Sequence, residues 1–215
     1  MRKAKRWVKV LVGILLAVVL LVGAYVAYVF LDYHRIGDQE LAAQGEGGAT
    51  ALDTAASYSI LSYNIGFGAY EDDYDFFMDG GTESCQMCIR DRSWAWSEER
   101  LTENLNHIAD FLKGQADFCL VQEVDIDSTR SYHVDEREPL CDAREGDSYV
   151  FAQNYDSPFL MYPLTQPHGA SRSGLLTFSP VTITSANRVE LPVETGVMKL
   201  LDLDRCYSVS RIPTN

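Results

Sequence analysis

The first long pattern in the chain is an unbroken apolar run. Val10 to Leu31, "VLVGILLAVVLLVGAYVAYVFL", carries no charge, and a run of that length predicts a helix able to cross a bilayer. Periodicity then disappears. "DQELAAQGEGGATALDTAAS" is rich in Gly, Ala and acids and reads as a flexible tether from about Gly37 to Ser57, within a connecting segment 32–57. Apolar patterning returns at Tyr58 to Gly68, "YSILSYNIGFG", a predicted strand that ends at a glycine turn with Asn64 at its C-terminal end. Ser97 is a predicted N-cap with Glu98 and Glu99 in the first turn, and Leu101, Leu105, Ile108, Ala109 and Leu112 share one helical face before Gly114. Asp117 to Val124, "DFCLVQEV", is nearly continuous in apolar residues and predicts a strand buried on both faces. Further strands are predicted at Gly174–Ser179, Val181–Leu191 and Arg205–Ile212. One helix between strands, followed by a run of strands, gives an α+β expectation: a mixed sheet sandwich with helices outside, after one N-terminal transmembrane helix.

Charge orients the apolar helix. Arg2, Lys3, Lys5, Arg6 and Lys9 form a basic leader, 1–9, and no comparable cluster follows the span 10–31. The positive-inside rule then keeps the N-terminus in the cytoplasm and exports the remainder as a single-pass membrane protein. A cleaved signal peptide with a poor Val22-x-Ala24 site is the alternative, but the apolar run continues past it. The formal charge of −13 is concentrated in the exported part once the leader is set aside, which disfavours electrostatic binding to long nucleic acid unless a metal supplies positive charge. The acidic, aromatic stretch "YEDDYDFFMDGG" lacks the spacing and closing Glu of an EF-hand and reads as a solvated loop.

A Glu inside an apolar strand is costly without a positive partner, which makes Glu123 the most informative carboxylate in the chain. The segments "ILSYNIGFG" and "FCLVQEVDIDSTRSYH", with one helix between them, and more weakly "SRSGLLTFSP", together resemble the endonuclease/exonuclease/phosphatase superfamily of metal-dependent phosphoesterases. The resemblance spans about Tyr58 to Ile212 and is closest to membrane-anchored Gram-positive bacterial members through "NIGFGAY", "FFMDGG" and "STRSYH". It implies that 58–215 is the N-terminal half of a four-layer αββα sandwich and a Mg²⁺-dependent phosphodiester hydrolase at the outer face of the membrane, with Mn²⁺ or Ca²⁺ as alternatives. Glu123 is the implied metal ligand, and Asn64 orients a metal-bound water or phosphate oxygen, the two forming the catalytic set in this chain. Arg172, Arg130, His133, Asn154 and Tyr155 are candidate substrate-binding residues. For each a structural role competes: a turn for Asn64, a surface site for Arg172, a loop for Asn154 and Tyr155. The implied partner is a phosphodiester, whether small molecule, lipid or nucleic acid, together with the membrane held by the N-terminal helix; no protein partner is expected.

The resemblance also implies a Gly-Asp-x-Asn segment bearing the catalytic base and a final Asp-His pair. Neither occurs here, and His34, His107, His133 and His168 do not fit that ending. The expectation is therefore a truncated, inactive fragment, against the alternative of a non-catalytic extracytoplasmic binding module of the same fold. Cys85 and Cys88 form a Cys-x-x-Cys pair, yet no second Cys or His pair at zinc spacing exists, and the motif does not open a helix after a strand. "QMCIRDR" is what CAG-ATG-TGT-ATA-AGA-GAC-AG plus one base can encode, a string that looks like the mosaic end of a transposase-based sequencing adapter. Residues 85–93 are accordingly expected to be an insertion artefact. Cys119, Cys141 and Cys206 remain, with no evident disulfide plan.

Overall fold

The computed structural model describes residues 2–71, 92–192 and 203–215, with side-chain burial from Arg6 onward. Cys85, Cys88 and nearly all of the acidic, aromatic stretch lie outside the described residues, whereas Arg92 and Ser93 lie within them. The chain divides into two compact units, Met1–His34 and Arg35–Asn215. The first is a single helix, α1 (Arg2–Asp32), whose segment Arg6–Asp32 contains an 18-residue stretch with a mean hydropathy of 2.9 and is long and apolar enough to cross a membrane.

The second unit is α+β with two sheets. β2 (Ile60–Asn64) leads through α2 (Glu98–Leu112) to β3 (Phe118–Asp125), which lies parallel to β2. The Ser97 side chain accepts the Arg100 N–H and caps α2 as the sequence pattern predicts, and Leu101, Leu105, Ala109 and Leu112 are its buried face. They pack with Cys119, Val121, Leu176, Phe178 and with Leu140 of α3 (Arg137–Ala143) as one apolar core. β4 (Ser148–Leu160) and β5 (Gly169–Ser179) form a long antiparallel hairpin, and β5 pairs with β3 to give the order β2-β3-β5-β4. The second sheet is antiparallel, in the order β1 (Gln39–Leu41), β6 (Ser185–Glu190), β7 (Cys206–Arg211). A smaller core of Val150, Ile183 and Ala186, with Leu41 and Ile212 against it, joins the sheets. An apolar groove of about 390 Å³ runs between Ile60, Leu120 and Leu175 of the first sheet and Tyr207 and Ile212 beside the second.

The segment expected to be a flexible tether is instead part of this unit. β1 pairs with β6, Gln44 bridges Tyr149, Ala49 bridges Val181 and Leu52 bridges Thr214. Gly47 shows why its composition misleads: a Cβ there would sit 2.3 Å from the backbone of Val181 and Thr182, so the glycine serves close backbone approach rather than freedom. Arg188, 1% exposed, anchors the same segment by donating to the carbonyls of Ile36, Gly37, Gln153 and Asp204. Three other elements differ from expectation. The strand predicted from Val181 begins only at Ser185, and α3 and β4 have no counterpart in the sequence reading. α3 is one short helix with Pro139 in its first turn, where a missing N–H costs nothing. β4 is interrupted by register shifts at 153–155 and 157–160, which break the alternation that would mark a strand.

Candidate functional site

Asn64 ends β2 and Glu123 lies across from it in β3, beside the pair Asn64 and Gln122. β3 bulges between Val121 and Val124 against β5, and Glu123 takes a left-handed φ of 57° there. A non-glycine residue at positive φ is uncommon, and bulges of this kind re-aim a side chain. Here the result is a contact: Asn64 Nδ2 donates to Glu123 Oε1 at 2.8 Å. The Asn64 amide oxygen meanwhile accepts the Gly66 N–H at 2.9 Å. The turn role and the site role of Asn64, alternatives in the sequence, are therefore held by one side chain at once. The turn continues tightly, since Gly66 has φ of 54° and a Cβ on it would meet the Tyr70 ring at 2.3 Å.

Asn64 and Glu123 open into a cavity of about 660 Å³ lined also by Tyr70, Asn104 and His107. Asn104 donates to the Gly68 carbonyl and to Glu71, fixing the loop after β2 to α2. His107 is exposed on α2 and was not anticipated as a site residue. Its helical position was legible in the sequence, but nothing there marks the helix face that meets the end of β2.

Past Glu123, the C-terminal end of β3 carries two further carboxylates with opposite surroundings. Asp125 is fully buried; it receives Arg130 Nε at 2.9 Å and Nη2 at 2.8 Å, and the Ser131 hydroxyl at 2.9 Å. Arg130 also lies 3.9 Å above the Phe67 ring. Burial works against its charge, but Asp125 outweighs it and the guanidinium is held more firmly protonated than an ordinary arginine. This removes Arg130 from the open cavity, contrary to its expected part as a phosphate clamp. Glu136 is buried beside the pair: burial and then the Asp125 carboxylate push its pKa well above the ordinary value, while its Oε2 accepts the Asp125 N–H. Tyr155 belongs to the same interior, its ring 6.4 Å from that of His168 and its hydroxyl pKa raised by burial. His168 is held neutral, its pKa lowered to about 4 by burial and by Arg130.

Asp127, two residues on, is exposed. His133 Nδ1 lies 2.6 Å from its Oδ1, and Arg172 Nη1 lies 3.5 Å from its Oδ2. Arg172 also reaches Asp156 at 3.6 Å. His133 and the preceding Tyr132 both have left-handed φ, 61° and 56°, a local cost that a hydrogen bond from the His133 N–H to the Ser128 carbonyl helps to hold. The Ser128 hydroxyl both accepts the Arg172 N–H and donates to the Arg172 carbonyl, locking β5 to this loop. The structure thus gathers His133 and Arg172 on Asp127, at the same end of the sheet as Asn64 and Glu123. Asn154 sits at the β4 irregularity, part-buried, next to Tyr155. Asp127 itself was missed; the only signal was its place, i to i+6, before His133.

Among the described residues no group of three or more His, Cys, Asp or Glu converges to hold a metal. Glu123 supplies a carboxylate on the open cavity, and Asn64 an amide whose oxygen also accepts the Gly66 N–H, a donor set suited to an ion that keeps several of its waters. Comparison of the chain with protein-family models, with curated proteins and with solved structures gives no match.

Proposed function

We propose that the second unit is a metal-dependent phosphoesterase domain, exported and held at the outer face of the membrane by α1, with the N-terminus in the cytoplasm. The observation that carries this reading is the 2.8 Å contact of Asn64 with Glu123 at a strained bulge, open to solvent at adjacent strand ends. A carboxylate held there binds one hydrated divalent ion, Mg²⁺ or alternatively Mn²⁺ or Ca²⁺, and such an ion when bound supplies positive charge for the phosphoryl oxygens. The Asn64 amide fixes the Glu123 rotamer, leaving Oε2 for the cavity. Arg172 and His133, aligned on Asp127, offer hydrogen-bond donors for the non-bridging oxygens of a phosphodiester. We assign α2 and α3 to the outer helical layer of a four-layer αββα sandwich and the two sheets to its middle.

A non-catalytic binding module of the same fold is the second reading. It is favoured by the small donor set, since among the described residues Glu123 is the one carboxylate that lines the cavity.

The first test is binding. Full-length chain in detergent micelles should remove the free Mn²⁺ paramagnetic resonance signal at one site, and Glu123→Gln should abolish that. An unchanged affinity in the variant would reject Glu123 as ligand. Hydrolysis of a panel of phosphodiesters (nucleic acid, sphingomyelin, inositol phosphates), with and without EDTA, by a chain extended to carry the Gly-Asp-x-Asn and Asp-His segments absent here, then separates enzyme from binding module.

A further inference from the structure

The β4–β5 hairpin ends in a charge-free tip. Residues 157–171 contain no Asp, Glu, Lys or Arg, in a chain whose formal charge is −13. The tip exposes apolar side chains in sequence: Phe159 at 40%, Met161 at 46%, Tyr162 at 70% and Leu164 at 82%. Scattered apolar residues are ordinary on a surface, but a contiguous set at one projection marks an interaction site. The tip is also held in place. The His168 N–H donates to the Tyr162 carbonyl, closing the loop. Trp94 Nε1 donates to the Pro167 carbonyl at 2.7 Å. These groups are exposed from a fixed platform.

We propose that this hairpin tip docks into the interfacial layer of a lipid bilayer, with Tyr162 and Leu164 as the residues that enter it. Three observations favour lipid over a protein partner. The same chain carries a helix long and apolar enough to cross a membrane. The sequence leaves only Tyr33 and His34 between α1 and Arg35, which is bonded to the Leu191 carbonyl, so little chain is available to keep the unit far from a membrane that α1 spans. The acidic remainder of the surface is repelled by anionic headgroups, which leaves an uncharged tip combining aliphatic and aromatic side chains as the part able to approach. The tip also lies at the end of the sheet where β5 begins, and Arg172 and Ser173 of β5 pair with the C-terminal end of β3. Docking there turns that end of the sheet toward the headgroups. The proposal does not depend on phosphoesterase activity.

The test uses the full chain reconstituted in phosphatidylcholine vesicles, with Leu164 replaced in one sample by an amino acid bearing the environment-sensitive NBD dye. A control carries the dye at Glu103, exposed on α2. Emission at 164 should shift to the blue and fall by about two-fold or more when doxyl-labelled lipid replaces part of the bilayer, a depth appropriate to interfacial insertion, while position 103 stays unchanged. Tyr162→Asp in the 164-labelled chain should restore the emission. Absence of quenching at 164 overturns the proposal, as does equal quenching at 103, which would mean adsorption of the whole unit. A blue shift that depends on protein concentration and not on doxyl lipid would overturn it in favour of contact with a second copy.

Discussion

Asp125 and Asp127 stand two residues apart at the end of one strand, and each holds an arginine, yet they do different work. Asp125 and Arg130 are sealed in the interior with Ser131 and Glu136 around them. Asp127 meets Arg172 and His133 at 3.5 and 2.6 Å with about half of each aspartate and arginine side chain in water. The same residue types serve as a girder in one place and as an available surface in the other. What separates them is the end of the strand: residues two apart in a strand share a face, but β3 stops at Asp125 and the chain bends at 126–127, which carries Asp127 out to solvent. The histidines repeat the contrast, His168 buried and held neutral beside Arg130, His133 exposed on Asp127.

The sharpest way to break the comparison is to remove Asp125. Asp125→Ala leaves the Arg130 charge buried without its partner, and the full chain in micelles should lose about 3–5 kcal/mol of unfolding free energy in urea. A loss under about 1 kcal/mol would place this pair with ordinary surface pairs.

Acid should act through the buried histidine next. The folded His168 has its pKa lowered to about 4 from 6.5, so between those values the unfolded chain binds a proton that the folded chain refuses. Stability therefore falls as pH drops from about 6.5 toward 4 and gains no further loss from this group below that, a contribution of about 3 kcal/mol. His168→Gln should flatten the slope over that window relative to the parent chain, measured by denaturation at stepped pH. An unchanged slope would show that His168 does not carry it.

The smallest effect belongs to the open side. Asp127→Asn should change stability by no more than about 1 kcal/mol, because exposed ion pairs contribute little. It should nevertheless move the His133 ring resonances in nuclear magnetic resonance spectra, since the carboxylate 2.6 Å from the ring becomes a neutral amide. A large loss of stability with unmoved resonances would reverse the assignment of the two aspartates.

Local signals were legible where a single element carried its own punctuation. Ser97, the apolar face of α2 and the stop at Gly114 were readable because cap, period and breaker agree within one helix. Asn64 and Glu123 were readable as strand-end polar residues, but their contact depends on the parallel register of β2 and β3 and on a bulge, neither of which a linear pattern contains. Arg130 reads identically to Arg172 in sequence, and only burial assigns it to Asp125. The strap from Arg35 to Leu52 was misread because small residues that permit close backbone contact are the same ones that make linkers flexible.

Arg188 gives that strap a place in time as well as in space. Its bonds to the carbonyls of Ile36 and Gly37 span separations of 152 and 151 residues, and β1 pairs only with β6. Neither can form until the chain has been made past β6, which ends at Glu190. During synthesis the residues nearest α1 are thus made early and secured late, and contacts of such long sequence separation slow folding. A newly made chain passes through a stage in which β6 lacks β1 along one side, and that interval is when chaperones or proteases would meet it.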